Sequence, residues 1–153
     1  MKAIREAAGQ DLQWKRTKWW KNEFELRSGD EVLAMLHATS GEAADGRWAF
    51  KSRSFWNRDI VITELDSQAE IAVVKRGLIL SSIGFSDGRM LTWNNDDWDW
   101  VDSDGRPLIH FQRGKQVVLE PLALSLPELS LLVIVGRHLM ELQGKERAAA
   151  STG

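Results

Sequence analysis

An apolar run near the C-terminus constrains the fold more than any other feature of the sequence. The eight residues Leu129–Gly136, which lie between Glu128 and Arg137, are nearly all apolar. The preceding Ser125-Leu126-Pro127-Glu128 is a helix-start signal with Ser125 as the candidate cap. We therefore predict a helix over about 126–142. A surface helix keeps a polar face, and a membrane span needs about 20 apolar residues, so this helix is expected to be buried inside the protein.

The residues before this helix are patterned as short strands. Apolar side chains recur mostly at every second position, in runs separated by Gly, Asp, Asn and Ser. The clearest hairpin joins 98–101 to 108–111, with Gly105 as the left-handed residue of its turn. Consecutive hairpins without alternating helices predict an all-β fold with one helix: a closed antiparallel barrel of about eleven to twelve strands around the C-terminal helix. The predicted strands are 12–16, 24–26, 32–36, 47–51, 60–64, 70–75, 78–85, 90–93, 98–101, 108–111 and 116–120.

The length and composition fit one domain. A chain of 153 residues with 43% apolar residues is long enough for a single hydrophobic core. We assign the barrel to 11–143, a loose N-terminal segment to 1–10 and a disordered tail to 144–153. The first ten residues lack the apolar run of a secretory signal, and the absence of cysteine fits a reducing compartment. We therefore predict a cytoplasmic protein without a transmembrane segment.

Three segments of the sequence resemble a known superfamily. They are Gly88-Arg89-Met90-Leu91-Thr92-Trp93, the hairpin Trp98–Phe111 with Asp104-Gly105-Arg106-Pro107-Leu108, and the ending Pro127–Gly136. Together they look like the tubby-like β-barrel superfamily, in particular bacterial relatives of the LURP-one-related and phospholipid-scramblase-like proteins. The resemblance implies a barrel of roughly twelve strands around a hydrophobic C-terminal helix. Tubby proteins bind phosphoinositides and scramblases move lipids in a calcium-dependent manner, whereas many bacterial members have no assigned role, so the fold transfers better than the function.

The sequence gives no positive sign of catalysis or of a metal site. An EF-hand loop with Gly105 at its sixth position would place Trp100 and Phe111 where its essential carboxylates belong. The histidines His37, His110 and His138 lie on separate predicted elements, without a neighbouring histidine at ligand spacing. Nucleophile elbows, Walker A loops and dinucleotide-binding glycine motifs are lacking as well. We expect a protein that is not an enzyme and needs no cofactor or metal, with an uncharacterised enzyme as the third alternative.

Two basic and aromatic stretches carry the functional prediction. They are Trp14–Lys21 and Lys51–Arg58, in which indoles alternate with lysines and arginines. Indoles favour the membrane–water boundary, and each nearby basic side chain adds about 1 kcal/mol of attraction to anionic lipid. We predict a non-enzymatic binding module whose barrel rim takes an anionic ligand, such as a lipid headgroup or a phosphorylated molecule, peripherally at a membrane. The candidate ligand-binding residues are Lys15, Lys18, Lys21, Trp19, Trp20, Lys51, Arg53 and Arg58.

Two other interpretations of these stretches stay open. Their aromatic side chains could cover the barrel mouth while their charges pair with Glu23, Glu25 and Asp59. They could instead contact a protein partner, through the loops or through exposed strand edges, in a structural or protein-interaction module. Single-stranded nucleic acid would need the same residue types, but the net charge of −2 argues against a nucleic-acid partner. The remaining tryptophans in strand patterns, Trp48, Trp93, Trp98 and Trp100, are expected to pack in the core.

Overall fold

Twelve antiparallel strands form a closed barrel in the computed structural model, which describes residues 1–53 and 58–152. Each strand pairs with its neighbours in sequence, and β1 closes the barrel by pairing with β12 at Leu12↔Val117. One long helix, α1 (Leu129–Thr152), follows the last strand. The strands are β1 (Leu12–Arg16), β2 (Phe24–Ser28), β3 (Glu31–Leu36), β4 (Ser40–Ala43), β5 (Gly46–Ser52), β6 (Ile60–Glu64), β7 (Ala69–Lys75), β8 (Leu80–Phe85), β9 (Met90–Asn94), β10 (Asp99–Val101), β11 (Pro107–Gln112) and β12 (Gln116–Leu119). The predicted barrel with a C-terminal helix is confirmed.

The alternation of apolar and polar residues decides which side chains face the helix. In β1, Leu12 and Trp14 are buried while Lys15 and Arg16 are exposed, and β9 buries Leu91 and Trp93 in the same way. Gly105 has φ +79° in the β10–β11 turn, as predicted for a left-handed position. The strand that the sequence analysis missed is β4, which has no large apolar side chain.

The first half of α1 fills the interior of the barrel. All seven residues from Leu129 to Val135 are buried, and the indole Nε1 of Trp100 donates a hydrogen bond of 2.8 Å to the carbonyl oxygen of Leu132. The helix begins at Leu129, three residues after the predicted start, because Ser125 belongs to a 3₁₀ helix, Pro121–Ser125. The hydroxyl of Ser125 donates to the carbonyl oxygen of Leu122, so Ser125 does not cap α1.

Both chain ends contain helical structure. A short 3₁₀ helix, Ile4–Ala7, buries Ile4 and Ala7 against the core, and Arg5 donates hydrogen bonds to the carbonyl oxygens of Leu124 and Leu126. At the other end, α1 continues past the predicted end at Leu142 to Thr152. The extension consists largely of good helix formers, Lys145, Glu146, Arg147 and three alanines, and Glu146 is anchored by ion pairs to the barrel.

Two glycines let the helix approach the strands closely. A Cβ atom at Gly41 of β4 would lie 2.5 Å from Cγ2 of Ile134, and one at Gly136 of α1 would lie 2.6 Å from Cε1 and Cζ of Phe111. Phe111 is itself buried, with its ring centroid 5.5 Å from that of Trp93. Trp93 is fully buried as well, so an atom added at Gly136 would have to displace a ring that is packed in the core.

We expect Gly136→Ala to destabilise the protein, although alanine is the better helix former. The added methyl overpacks the contact with Phe111, which typically costs about 1–3 kcal/mol and outweighs a propensity gain of about 1 kcal/mol. The matched control is Gly144→Ala on the exposed part of the same helix, where a Cβ meets nothing within 4 Å. Urea denaturation should show opposite signs for the two variants. A stability gain in both would contradict the close contact at Gly136.

Candidate functional site

The two ends of the barrel differ, and the predicted site lies at the end where α1 leaves. The helix begins near the β8–β9 connection, where Glu128 pairs with Arg89, and crosses the barrel so that Glu146 reaches Arg76 at the far side. We call this far side the exit end. Its connections are 17–23, 37–39, 53–59, 76–79, 95–98 and 113–115. The described residues of both predicted basic stretches therefore lie at one end of the barrel.

Charge is segregated along the barrel axis. With the two adjoining residues of each strand and helix residues 141–152, the exit end holds thirteen of the 20 basic side chains and eight of the 22 acidic ones. Counted in the same way, with residues 1–11 and 120–128, the opposite end holds six basic and fourteen acidic residues. The net charge of −2 is thus the sum of an excess of basic residues at one end of the barrel and an excess of acidic residues at the other. The exit-end charges are Lys15, Arg16, Lys18, Lys21, Lys51, Arg53, Arg58, Lys75, Arg76, Arg113, Lys115, Lys145 and Arg147 against Glu23, Glu25, Asp59, Asp96, Asp97, Asp99, Glu141 and Glu146.

Large apolar side chains protrude from two exit-end loops. Trp19 and Trp20 in the β1–β2 loop are 83% and 62% exposed, and Leu78 and Ile79 in the β7–β8 loop are 90% and 68% exposed. In the circular order of the six exit-end connections, these two loops lie opposite each other. We call the four residues the apolar tips. Exposed apolar groups of this size, placed beside basic residues, are typical of interaction surfaces.

Each tip is supported by hydrogen bonds within its own end of the barrel. The amide nitrogen of Asn95 donates 2.9 Å bonds to the carbonyl oxygens of Gly77 and Leu78, and its side-chain oxygen accepts a 2.6 Å bond from Gln143 of α1. In the β1–β2 loop, the guanidinium of Arg16 donates to the carbonyl oxygen of Lys21 at 3.1 Å. The loops thus present the tips from fixed positions, and little ordering entropy is lost on contact.

The predicted ligand-binding residues are exposed at this end. The side chains of Lys15, Lys18, Lys21, Lys51, Arg53, Arg58, Trp19 and Trp20 are all exposed. Lys18 lies over the ring of Trp20, with Nζ 5.7 Å from the centroid. Trp14, by contrast, is buried in the core and contributes nothing to the rim. Phe55 and Trp56 lie outside the described residues.

The interpretation of these stretches as covered, charge-paired loops agrees with the structure in part, because Arg16 and Arg58 pair with Glu141 and Glu146. Trp19 and Trp20 are too exposed to cover the barrel mouth. Glu23 lies 3.8 Å from His37, and Glu25 pairs with Arg27 rather than with a lysine. Within residues 1–53 and 58–152, Lys15, Lys18, Lys21 and Lys51 take part in none of the ion pairs, so their ammonium groups are available to an external anion.

A neutral histidine lies at the base of the exit end. His138 is buried, lies against Phe50 with ring centroids 5.0 Å apart, and borders a cleft of about 450 Å³ between α1, the β3–β4 connection and the exit ends of β5 and β6. Burial, together with the positive charges of Arg76 and Lys145, lowers the pKa of His138 to about 4. The adjacent residue of α1, Arg137, pairs with Glu141 and lies 4.1 Å from the ring centroid of Phe24.

Asp102 organises the turn of the β10–β11 hairpin. Asp102 accepts hydrogen bonds from the backbone N–H groups of Asp104 and Arg106 and pairs with the Arg106 guanidinium. These bonds hold the pKa of Asp102 below its usual range. Among the described residues, no cluster of three or more His, Asp or Glu side chains could hold a metal ion.

Leu78 and Ile79 are the site residues that the sequence analysis missed. The predicted strand 78–85 includes both residues, whereas β8 begins at Leu80. Three consecutive aliphatic residues, Leu78, Ile79 and Leu80, break the alternation expected of a half-buried strand. That break was the available signal that the first two belong to a loop.

Comparison with known proteins adds no assignment: no family model, curated protein or solved structure matches this chain. In the part of the chain that the structure describes, no helix has the length and apolar character needed to cross a membrane.

Proposed function

We infer that the exit end docks on an anionic membrane surface, with the apolar tips entering the interface and the lysines beside them contacting lipid headgroups. The observation that carries this proposal is the coincidence of exposed apolar loops and excess positive charge at one end of the barrel. Binding rather than catalysis is proposed. Membership of the tubby-like superfamily stays a prediction from the sequence.

The proposed attachment combines two weak forces. Tryptophans favour the headgroup region of a bilayer, and Trp19 and Trp20 meet at 5.6 Å in an edge-to-face contact that presents both indoles outward. Each lysine or arginine near an anionic surface adds about 1 kcal/mol, and this contribution is screened by salt. Because the two pairs of tips lie on opposite sides of the exit end, contact through both would set the barrel axis roughly along the membrane normal.

We expect the protein to bind phosphatidylcholine vesicles only when they contain phosphatidylserine, and to be released by salt. Lys18→Glu with Lys21→Glu should weaken co-sedimentation roughly a hundredfold, since reversing two charges removes several contributions of about 1 kcal/mol. Trp19→Ser with Trp20→Ser, and Leu78→Ser with Ile79→Ser, should each reduce binding even at low salt.

The matched control for the apolar tips is Met90→Ser with Leu122→Ser, because both residues are exposed apolar side chains at the opposite end. This variant should bind vesicles like the wild type. Thermal melts should be close to wild type for every variant, because exposed side chains contribute little to stability. The membrane proposal would be rejected if the wild type bound equally well with and without phosphatidylserine, or if the control variant lost binding as the tip variants do. Either result would favour a protein-interaction module that uses the same tips.

A further inference from the structure

Two arginines that flank neighbouring strands, Arg58 before β6 and Arg76 after β7, meet at the exit end beside the helix. The β6–β7 register pairs Ile60 with Val74, and the same register two residues further places Arg58 opposite Arg76. Like charges directly opposite each other across a strand pair are unfavourable unless an anion lies between them. Both guanidinium groups bind the carboxylate of Glu146 on α1, Arg58 at 2.9 Å and Arg76 at 2.5 Å.

One carboxylate does not balance the positive charge at this position. Arg58, Arg76 and Arg147 line a single cleft of about 290 Å³ with Glu146, so the cleft has an excess of two positive charges. Lysines and arginines in such excess favour a dianion, and guanidinium groups match the geometry of phosphate oxygens. A phosphomonoester carries a charge of about −1.5 to −2 at pH 7.

The two partners of the central ion pair differ in how firmly they are held. The Arg76 side chain is only 8% exposed, whereas the Glu146 side chain is 45% exposed and lies on the terminal turns of α1 beyond the barrel. The guanidinium is therefore a fixed part of the site, and the carboxylate is at its solvent edge. An anion that arrives from outside can replace Glu146 without a rearrangement of the barrel.

We propose that this cleft binds a phosphomonoester in the position that the Glu146 carboxylate occupies, with Arg76 as the fixed anion-binding residue and Glu146 as an internal competitor. Leu78, one of the apolar tips, also lines the cleft, so a lipid phosphate could bind while the tip enters the interface. The lipid form of this proposal rests on the membrane docking inferred above, and the binding of a soluble phosphate does not.

The first experiment measures inorganic phosphate binding to the full chain by isothermal titration calorimetry. Glu146→Gln should tighten binding by roughly tenfold, because it removes a charged competitor, and Arg76→Gln should abolish binding. Arg58→Gln, at a more exposed guanidinium, should weaken binding and serves as the second variant if Arg76→Gln fails to fold. The matched control is Arg106→Gln, which removes an arginine held by two carboxylates at the opposite end. If Glu146→Gln does not tighten binding, or if the control loses it too, the Arg–Glu–Arg contact is a structural clamp and the proposal is overturned.

The second experiment separates the sources of the phosphate. Vesicles with phosphatidic acid, a phosphomonoester lipid, are compared with phosphatidylserine vesicles of equal surface charge. A preference for phosphatidic acid that Arg76→Gln removes supports a lipid ligand. Binding of inorganic phosphate without any vesicle binding keeps the phosphate site and rejects the membrane docking. Equal binding to both vesicle types, unaffected by Arg76→Gln, keeps the docking and rejects a lipid phosphate as the ligand of the cleft.

Discussion

Leu132→Asp should leave a protein that no longer unfolds cooperatively. Leu132 is fully buried at the centre of the barrel, and its carbonyl already accepts the indole N–H of Trp100. A carboxylate there would have no cation to pair with in the apolar interior, and its burial costs several kcal/mol in addition to the lost packing. A typical domain is stable by about 5–15 kcal/mol, so most of its stability would be lost.

Circular dichroism melts and light scattering test this expectation. Val135→Asp, one helical turn along α1 and equally buried, should behave in the same way. The matched control, Leu122→Asp, makes the same substitution on a side chain that is 40% exposed and should melt like the wild type. A wild-type melt for both buried variants would mean that α1 is not the core of the barrel.

The stability of the protein should fall by about 3 kcal/mol between about pH 6.5 and pH 4 because of His138 alone. The pKa of His138 is about 4 in the folded protein, against 6.5 for an unperturbed histidine. In this window the unfolded chain binds a proton that the folded protein excludes, so acid favours unfolding. Above pH 6.5 the imidazole is neutral in both states, and the effect disappears.

The measurement is urea denaturation of the wild type and of His138→Phe at several pH values. Phenylalanine keeps an aromatic ring against Phe50 but has no titrating group, so the variant should lack this part of the pH dependence. At pH 7 the two proteins should be about equally stable, because no hydrogen bond between His138 and another described residue is lost. All other titrating groups are common to both proteins, and their effects cancel in the difference. Parallel curves down to pH 4 would contradict a depressed pKa at His138.

Most of the fold follows from periodicity in the sequence. The strands β1 and β6 have the predicted limits, because their apolar residues alternate or cluster between clear turn residues. The missed strand, β4, reads Ser-Gly-Glu-Ala and gives no such signal. Position 41 requires a glycine because Ile134 of α1 lies against it. A local sequence pattern cannot predict a contact between residues so far apart in the chain.

The candidate site was predictable in part. Composition alone singles out Lys18–Lys21, since indoles beside lysines are unusual in a buried segment. Whether the two basic stretches lie at the same end of the barrel depends on the number of strands between them. One strand more or fewer would place them at opposite ends. The Arg58–Glu146–Arg76 contact joins residues from two strand ends and the final helix, and the helix was expected to stop before Glu146. This contact could not be predicted from the sequence, because it depends on the register of the strands and on the length of the helix.

Because α1 follows the last strand, it is the last part of the fold to be synthesised on the ribosome. All twelve strands are synthesised before the segment that fills them, and closure between β1 and β12 joins residues about a hundred positions apart. A barrel closed at that stage would enclose an empty space lined by side chains such as Trp93 and Trp100, which close packing forbids. The apolar faces of the nascent strands therefore stay uncovered until α1 has been synthesised. During that interval, chaperone binding or rapid folding after synthesis is needed to prevent aggregation.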